Sequence, residues 1–359
     1  MPVYLDPDLY RQLAIAPATA NVGAEFRAGA PKYIHIGLIN NMPDGALQAT
    51  ERQFLRLLES ASAGYLVRLS LYGMPDLPRG DSGRSHVERF YASVEELWDE
   101  QLDGLIVTGT EPKSPNLAEE PYWNTFCRVF EWAEQNTYSS VWSCLAAHAA
   151  LLKSDGIARR RLPEKRFGVF ECAQAALHPL TAAAPDRYCV PHSRWNDIDE
   201  RDLSGCGYRI LTRLREGGVD SFVKRQNSLL VFFQGHPEYE GDSLVLEYRR
   251  DVRRFLRGER ETYPRLPHAC FDDATAREFA ELEQRALSGG REEVLEHFTH
   301  SAEAKVANTW HASGARVYQS WLAFIAGQKE QRARELRGRK MSLRAAASVR
   351  RRYAGAAAD

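Results

Sequence analysis

"SSVWSCLAAHAALL", residues 139–152, joins a short β-leaning run to an alanine-rich helical run, with Cys144 at the seam. A strand that turns sharply into a helix is the repeating unit of a wound α/β sheet, so the flanking sequence is read for more of them. "DGLIVTGTEP" (103–112) is nearly all apolar before a Gly-Thr turn, as a parallel strand buried on both faces should be. Between the two, "PYWNTFCRVFEWAEQN" (121–136) puts Phe126, Val129, Phe130 and Ala133 on one helical stripe. Upstream, "KYIHIGLIN" (32–40) and "YLVRLSLYG" (65–73) read as strands around a helix, "DGALQATERQFLRLLES" (44–60). "SVEELWDEQL" (93–102) predicts a further helix, capped by Ser93 with Glu96 three residues on. Downstream, residues 221–256 give a hairpin-like pair of strands, a loop and a helix, and residues 260–326 read as mostly helical. The expected fold is α/β, a doubly wound, mostly parallel sheet with flanking helices and a helical C-terminal extension.

Composition agrees with this. With 359 residues, 44% hydrophobic and 26% charged, the chain can bury a substantial core. The expected division is an N-terminal extension (1–30), an α/β domain (31–258), a helical region packing on it (259–327) and a basic, flexible tail (328–359). From Lys329 to Arg352 that tail carries ten Lys/Arg against two acids, which reads as a solvated run rather than a nucleic-acid or lipid anchor. No apolar run is long enough for a membrane span and the first residues lack a basic leader, so the cytoplasm is expected. Six cysteines stand singly without a CxxC pair, which argues against a zinc site and against a disulfide framework.

Chemistry in such sheets gathers at the carboxyl ends of the strands. Loops at that position here are "NNMPDG", "TGTEPKSPN" and the turn at Cys144, where a helix N-terminus aims N–H groups at whatever the sulfur attacks. "VFFQGHPEY" adds His236 and Glu238 on one side of an extended His-Pro-Glu segment. Cysteine, histidine and carboxylate together make a nucleophile, a base and a group that orients the base.

The blocks "WSCLAAHAAL", "FGVFE", "HPLT", "PHSRWND" and "GHPEYEGDSLVLEYRRDV", with "NNMPDGALQATERQFLRLL" and "DGLIVTGTEP", resemble the homoserine O-acyltransferase family, built on a class I glutamine amidotransferase-like fold. The resemblance runs in order from about residue 33 to 256, with weaker echoes in "WHASGARVYQSWLAFI". It implies that Cys144 accepts the acyl group, that His236 is the base with Glu238 as its partner, and that Lys165, Ser193 and Arg250 contact the amino acid. It also implies acyl-CoA as co-substrate, no cofactor and no metal; a homodimer is expected. Backbone N–H groups near Leu145 and the turn at Gly109 would hold the oxyanion. Activity is expected to rise with pH through the histidine range.

Donor choice in this family goes with a residue a few positions after the Thr-Gly of "TGTEPKSPN". Counting from Gly109 reaches Lys113, which could pair with the free carboxylate of succinyl-CoA, whereas Glu111 two residues earlier would favour acetyl-CoA. Succinyl-CoA is the expected donor and L-homoserine the expected acceptor. Serine as acceptor differs by one methylene and stays open. A glutamine amidotransferase or cysteine hydrolase would want glycines two residues either side of the cysteine, where this chain has Trp142 and Ala146. A non-enzymatic binding module has no use for a complete triad. Relatives carry a lysine just after "MP", where this chain has Asp44 and Gly45, so that lysine's role does not transfer. Glu51, on one helical face with Leu47, Phe54 and Leu58, reads equally as a structural carboxylate or as a site residue.

Overall fold

The computed structural model describes residues 3–5, 33–289, 294 and 306–355, the stretch 340–355 as helical backbone alone. The chain opens with β1 (Val3–Tyr4) and β2 (Tyr33–Ile39). It continues through α1 (Asp44–Ala61), β3 (Leu66–Gly73), α2 (Asp81–Phe90), β4 (Ala92–Ser93) and β5 (Gly104–Val107). Next come α3 (Trp123–Asn136), β6 (Ser139–Ser143) and α4 (Leu145–Asp155). The second half holds β7 (Arg160–Gln174), β8 (Arg187–Asp197), α5 (Glu200–Gly205), β9 (Arg209–Leu214), β10 (Val219–Arg225), β11 (Leu229–Phe233) and α6 (Ser243–Leu256). Finally α7 (Asp273–Leu287) and α8 (His311–Gly355) close the chain.

All strands among the described residues join one sheet in the order β1-β3-β2-β5-β6-β11-β10-β9-β7-β8, with β4 also paired to β3. From β1 to β11 the pairs are parallel, and from β11 to β8 they are antiparallel. β2, β5, β6 and β11 are buried along their whole length, as the unbroken apolar runs of β5 and β11 require. The polar residues of β2 and β6 are buried with hydrogen-bond partners, His35 on Ser70 and Ser139 on Leu229 O. Alternate residues serve opposite layers. Ile34, Ile36 and Leu38 pack with Phe54 and Leu58 of α1 and with Trp321, Leu322 and Ile325 of α8. Leu105, Val107, Trp142 and Phe232 pack on the other face with Phe126, Val129 and Phe130 of α3 and with Ala147 and Ala150 of α4. Each fully buried Leu or Phe of these layers contributes about 1.5–3 kcal/mol. The doubly wound reading, the stripe on α3 and the hairpin of β10 and β11 therefore match the sequence expectation.

Other expectations are corrected. The helix expected over 93–102 is a single 3₁₀ turn, Glu96–Asp99. Its capping hydrogen bond does form, the Ser93 N–H donating to Glu96 Oε1 at 2.9 Å. However, Ser93 is tied into β4, only Leu97 of the turn is buried, and the chain must straighten to enter β5. Residues 3–5 of the expected N-terminal extension are an edge of the sheet, Val3 and Tyr4 pairing with Val67 and Arg68; most of that extension lies outside the described residues. Of the flexible tail expected over 328–359, the described part, to Gly355, continues α8, and Lys329 anchors it by donating to Tyr33 O and Asp103 Oδ2 at 2.8 and 2.6 Å. Among the described residues no helix is long and apolar enough to cross a membrane.

Candidate active site

β6 and β11 lie side by side in parallel register, Ser143 opposite Phe233, so their carboxyl ends deliver Cys144 and the segment Gln234–Glu238 to the same place. Cys144 turns the chain into α4 at φ 53° and ψ −112°, a left-handed backbone that costs a non-glycine residue roughly 1–3 kcal/mol. The turn is held by its own N–H, which donates to Phe233 O at 2.7 Å, and by its carbonyl, which accepts from Ala147 N at 3.0 Å. The thiol is thereby presented, half-buried, at the N-terminus of α4. Gly109 crosses this terminus so closely that a Cβ there would stand 2.6 Å from Leu145 Cβ and 3.0 Å from Leu145 N. Only glycine allows the Thr-Gly turn to sit beside the first N–H groups of the helix, the arrangement an oxyanion needs.

Cys144 acts on the His236 side chain, whose Nδ1 lies 2.8 Å from Glu238 Oε1. Its backbone N–H is fixed to Pro191 O at 2.8 Å, and its ring stacks on Tyr239 with centroids 4.2 Å apart. Burial disfavours a charged His236, but the charges and hydrogen bonds of Cys144 and Glu238 outweigh it and raise the histidine pKa well above its ordinary value. The cysteine, histidine and glutamate singled out in the sequence are therefore one connected unit. Gly235 is obligatory behind them, because a Cβ would meet Val190 Cγ1 at 2.5 Å and Asp220 Oδ1 at 2.7 Å.

Lys165, Ser193 and Arg250, far apart in sequence, converge on two carboxylates of α6. Ser193 Oγ donates to Glu247 at 2.5 Å, and Tyr239 Oη donates to its other oxygen at 2.6 Å. Lys165 Nζ is 3.5 Å from Glu247 and 3.1 Å from Asp251. Arg250 pairs with Asp251 at 2.9 Å and Glu247 at 3.5 Å, and its side chain stays half-exposed. Burial pushes both carboxyls up, yet Lys165 and Arg250 outweigh it and hold them below their usual range, so both are ionised at neutral pH. Asp251 and Tyr239 were missed in the sequence. The signal was available for Asp251, four residues after Glu247 on the same helical face.

Residues 19–332 match the sequence profile described as homoserine O-succinyltransferase. The chain belongs to the homoserine O-succinyltransferase family. Proteins named homoserine O-succinyltransferase from Methylorubrum extorquens and Rhodopseudomonas palustris are 43% and 42% identical over 301 and 303 residues. Those alignments cover 82% and 84% of this chain and 88% and 91% of the relatives. One from Bradyrhizobium japonicum is 46% identical over 257 residues, 71% of this chain and 79% of that one. Among solved structures, a glutamine amidotransferase from Methylobacillus flagellatus aligns over 82% of this chain and 95% of its own, with a TM-score of 0.45 and 12% identity.

In this homoserine O-succinyltransferase family member a cation reaches the loop at Asp44 from another part of the chain. Arg79 donates to Met42 O at 2.6 Å and pairs with Asp44 at 3.2 Å, bracing the "NNMPDG" loop. Glu51, which reads equally as a structural carboxylate or a site residue, is fully buried, accepts from Tyr91 Oη at 2.5 Å and contacts His86 Nε2 at 2.7 Å. The two donor-loop residues separate. Lys113 has an exposed side chain, and Glu111 leans across to Arg254 of α6 at 3.2 Å.

His148 and His192 stand behind the triad. His148 Nε2 meets Gln234 Oε1 at 2.9 Å, tying α4 to the segment that carries His236. Cys172, His192 and Asp220 cluster in the core with metal-ligand donor types. However, His192 Nδ1 accepts from Arg194 Nε at 3.2 Å, so the ring proton sits on Nε2 and faces Asp220 Oδ1 at 3.3 Å. Burial also holds the Cys172 thiol protonated, so two of the three groups present protons where a metal would need lone pairs. Burial lowers His35, His148 and His192 to about 4 from 6.5. Between those values these three rings bind more protons in the unfolded chain than in the folded one, so their contribution to stability is fully present above about pH 6.5 and is lost as pH falls towards 4. The urea midpoint is expected to drop between pH 7 and pH 5, with a shallower slope in His148→Gln. A midpoint that stays flat over that window would contradict the assignment of these rings as neutral.

Proposed function

We propose that this protein transfers the succinyl group of succinyl-CoA to the hydroxyl of L-homoserine through a thioester on Cys144. The observation that carries the reading is the Cys144–His236–Glu238 unit at the helix N-terminus, in a chain of this family. The Cys144 thiolate attacks the carbonyl carbon of the donor. The resulting oxyanion is stabilised by the Leu145 N–H and the turn at Gly109. Collapse breaks the carbon–sulfur bond to CoA, whose thiolate takes the proton held by His236. Acylation thus removes both the Cys144 charge and its hydrogen bond, two of the causes that raise the His236 pKa. The ring is left as a neutral base, which takes the homoserine hydroxyl proton as that oxygen attacks the thioester. Collapse then releases O-succinylhomoserine and restores the thiolate. The rise of activity with pH belongs to this second step.

The acceptor is read as bound by its two charges. Arg250, half-exposed, faces its carboxylate, while Glu247 and Asp251 offer negative charge to its ammonium. Acyl-CoA serves as co-substrate and no resident cofactor enters the reaction. Action in the cytoplasm follows from the two substrates, and assembly as a homodimer is an expectation from sequence. A panel of acetyl-CoA and succinyl-CoA against homoserine, serine and glutamine, read by CoA release and product mass, tests the reading. Succinyl-CoA with homoserine is expected to give the highest kcat/KM. Preference for serine moves the acceptor, and glutamine hydrolysis without CoA release overturns the transferase reading.

A further inference from the structure

Lys113 of the donor loop has an exposed side chain, while the segment between α4 and β7 brings a different cation beneath that loop. Arg159 Nη2 donates to the carbonyls of Ser114 and Pro115 at 3.3 and 3.1 Å. These two bonds fix the plane of the guanidinium. Its Nη1 is buried and has no hydrogen-bond partner. A buried guanidinium nitrogen left unpaired is costly, and a native chain keeps one where something else completes it. The loop that Arg159 braces begins at Gly109, which lies against Leu145 at the start of α4, so the orphan donor sits under the same loop that borders the nucleophile. Tyr122, itself buried, has a second orphan: its hydroxyl also lacks a partner. Glu120 is engaged elsewhere, its Oε1 accepting the Lys113 and Ser114 N–H groups at 2.6 Å, which ties the loop down around the pair.

We propose that Arg159, assisted by Tyr122, takes the free carboxylate of the succinyl donor and is the residue that sets donor choice. This rests on the reading of the protein as a succinyl transferase. The succinyl chain puts an anion two methylenes beyond the carbonyl that Cys144 attacks. Arg159 Nη1 and the Tyr122 hydroxyl are the unpaired donors that this anion would satisfy. An acetyl group brings no anion and leaves both donors unpaired, which is how a polar site rejects a shorter analogue.

The test is the ratio of kcat/KM for succinyl-CoA over acetyl-CoA in the wild type, Arg159→Gln, Arg159→Lys, Tyr122→Phe and Lys113→Ala. The ratio cancels any loss of folded enzyme, and both donors share the whole CoA moiety. Arg159→Gln is expected to lower the ratio roughly 10- to 100-fold, the range for a lost hydrogen bond to a charged group, and Tyr122→Phe several-fold. Arg159→Lys should recover part of it, and Lys113→Ala should leave it near the wild-type value. An unchanged ratio in both Arg159→Gln and Tyr122→Phe overturns the assignment while leaving the transferase reading in place. An equal fall for both donors also overturns it, because it points to a contact with CoA or to a structural role. A wild type that does not use succinyl-CoA removes the donor reading and this proposal together.

Discussion

Cys144→Ala is expected to lose acyl transfer by at least about 10⁴-fold and to gain no acyl mass from succinyl-CoA. Alanine at Cys127, Cys172, Cys189, Cys206 or Cys270 should leave the acyl-enzyme detectable. The reason lies in the elbow: the backbone bonds of Cys144 to Phe233 and Ala147 do not involve its side chain, so alanine keeps the turn and removes only the sulfur. Serine keeps a nucleophile of far weaker acidity and should approach the alanine variant. Intact-mass and peptide analysis after exposure to donor alone decides it. A wild type that never carries the acyl group on the Cys144 peptide ends the covalent mechanism.

His236→Asn should cost roughly 10³- to 10⁵-fold in transfer, and Glu238→Gln about 10- to 10³-fold, because the first removes the proton carrier and the second only its partner. The pH profile separates a partner from mere packing. Glu238 is one of the groups raising the His236 pKa, so Glu238→Gln should lower it, and the acid limb of the acceptor step should move to lower pH. A limb that stays in place would make Glu238 a packing residue. His148→Gln should retain at least about a tenth of the activity, since His148 touches Gln234 rather than the sulfur. Inactivity equal to that of His236→Asn would move the base to His148.

Cys144, His236 and Glu238 were legible because a β-leaning run ends at a helix start and a histidine stands two residues before a carboxylate. The expected extended His-Pro-Glu segment is instead a turn, Tyr239 N–H donating to His236 O at 3.2 Å, and it is this turn that folds Glu238 back onto the ring. Lys165 and Ser193 could be named only through family resemblance. They lie on β7 and β8, an arm half-exposed along much of its length, whose charges and bulge hide the alternation that marks a strand. Lys113 shows the limit of counting along a loop. The residue number was reached, but the fold of 109–116 around Glu120 turns its side chain outward. Arg159 gave no signal at all, being one of three consecutive arginines, and its neighbours Ser114 and Tyr122 come from another part of the chain.

The tight seating of α8 has a bearing on how the chain is made. Gly104 admits Ile325 and Trp321 so closely that a Cβ would meet them at 2.8 and 3.1 Å, and Lys329 ties the same helix to Tyr33 and Asp103. The cover of β2 and α1 thus comes from the far end of the polypeptide, a contact whose loop closure is entropically expensive and slow to find. Translation runs against this order. The strands synthesised early keep Ile34, Ile36 and Leu57 without their final cover until the segment around Ile325 has left the ribosome, so the nascent chain passes through an extended interval of exposure to aggregation.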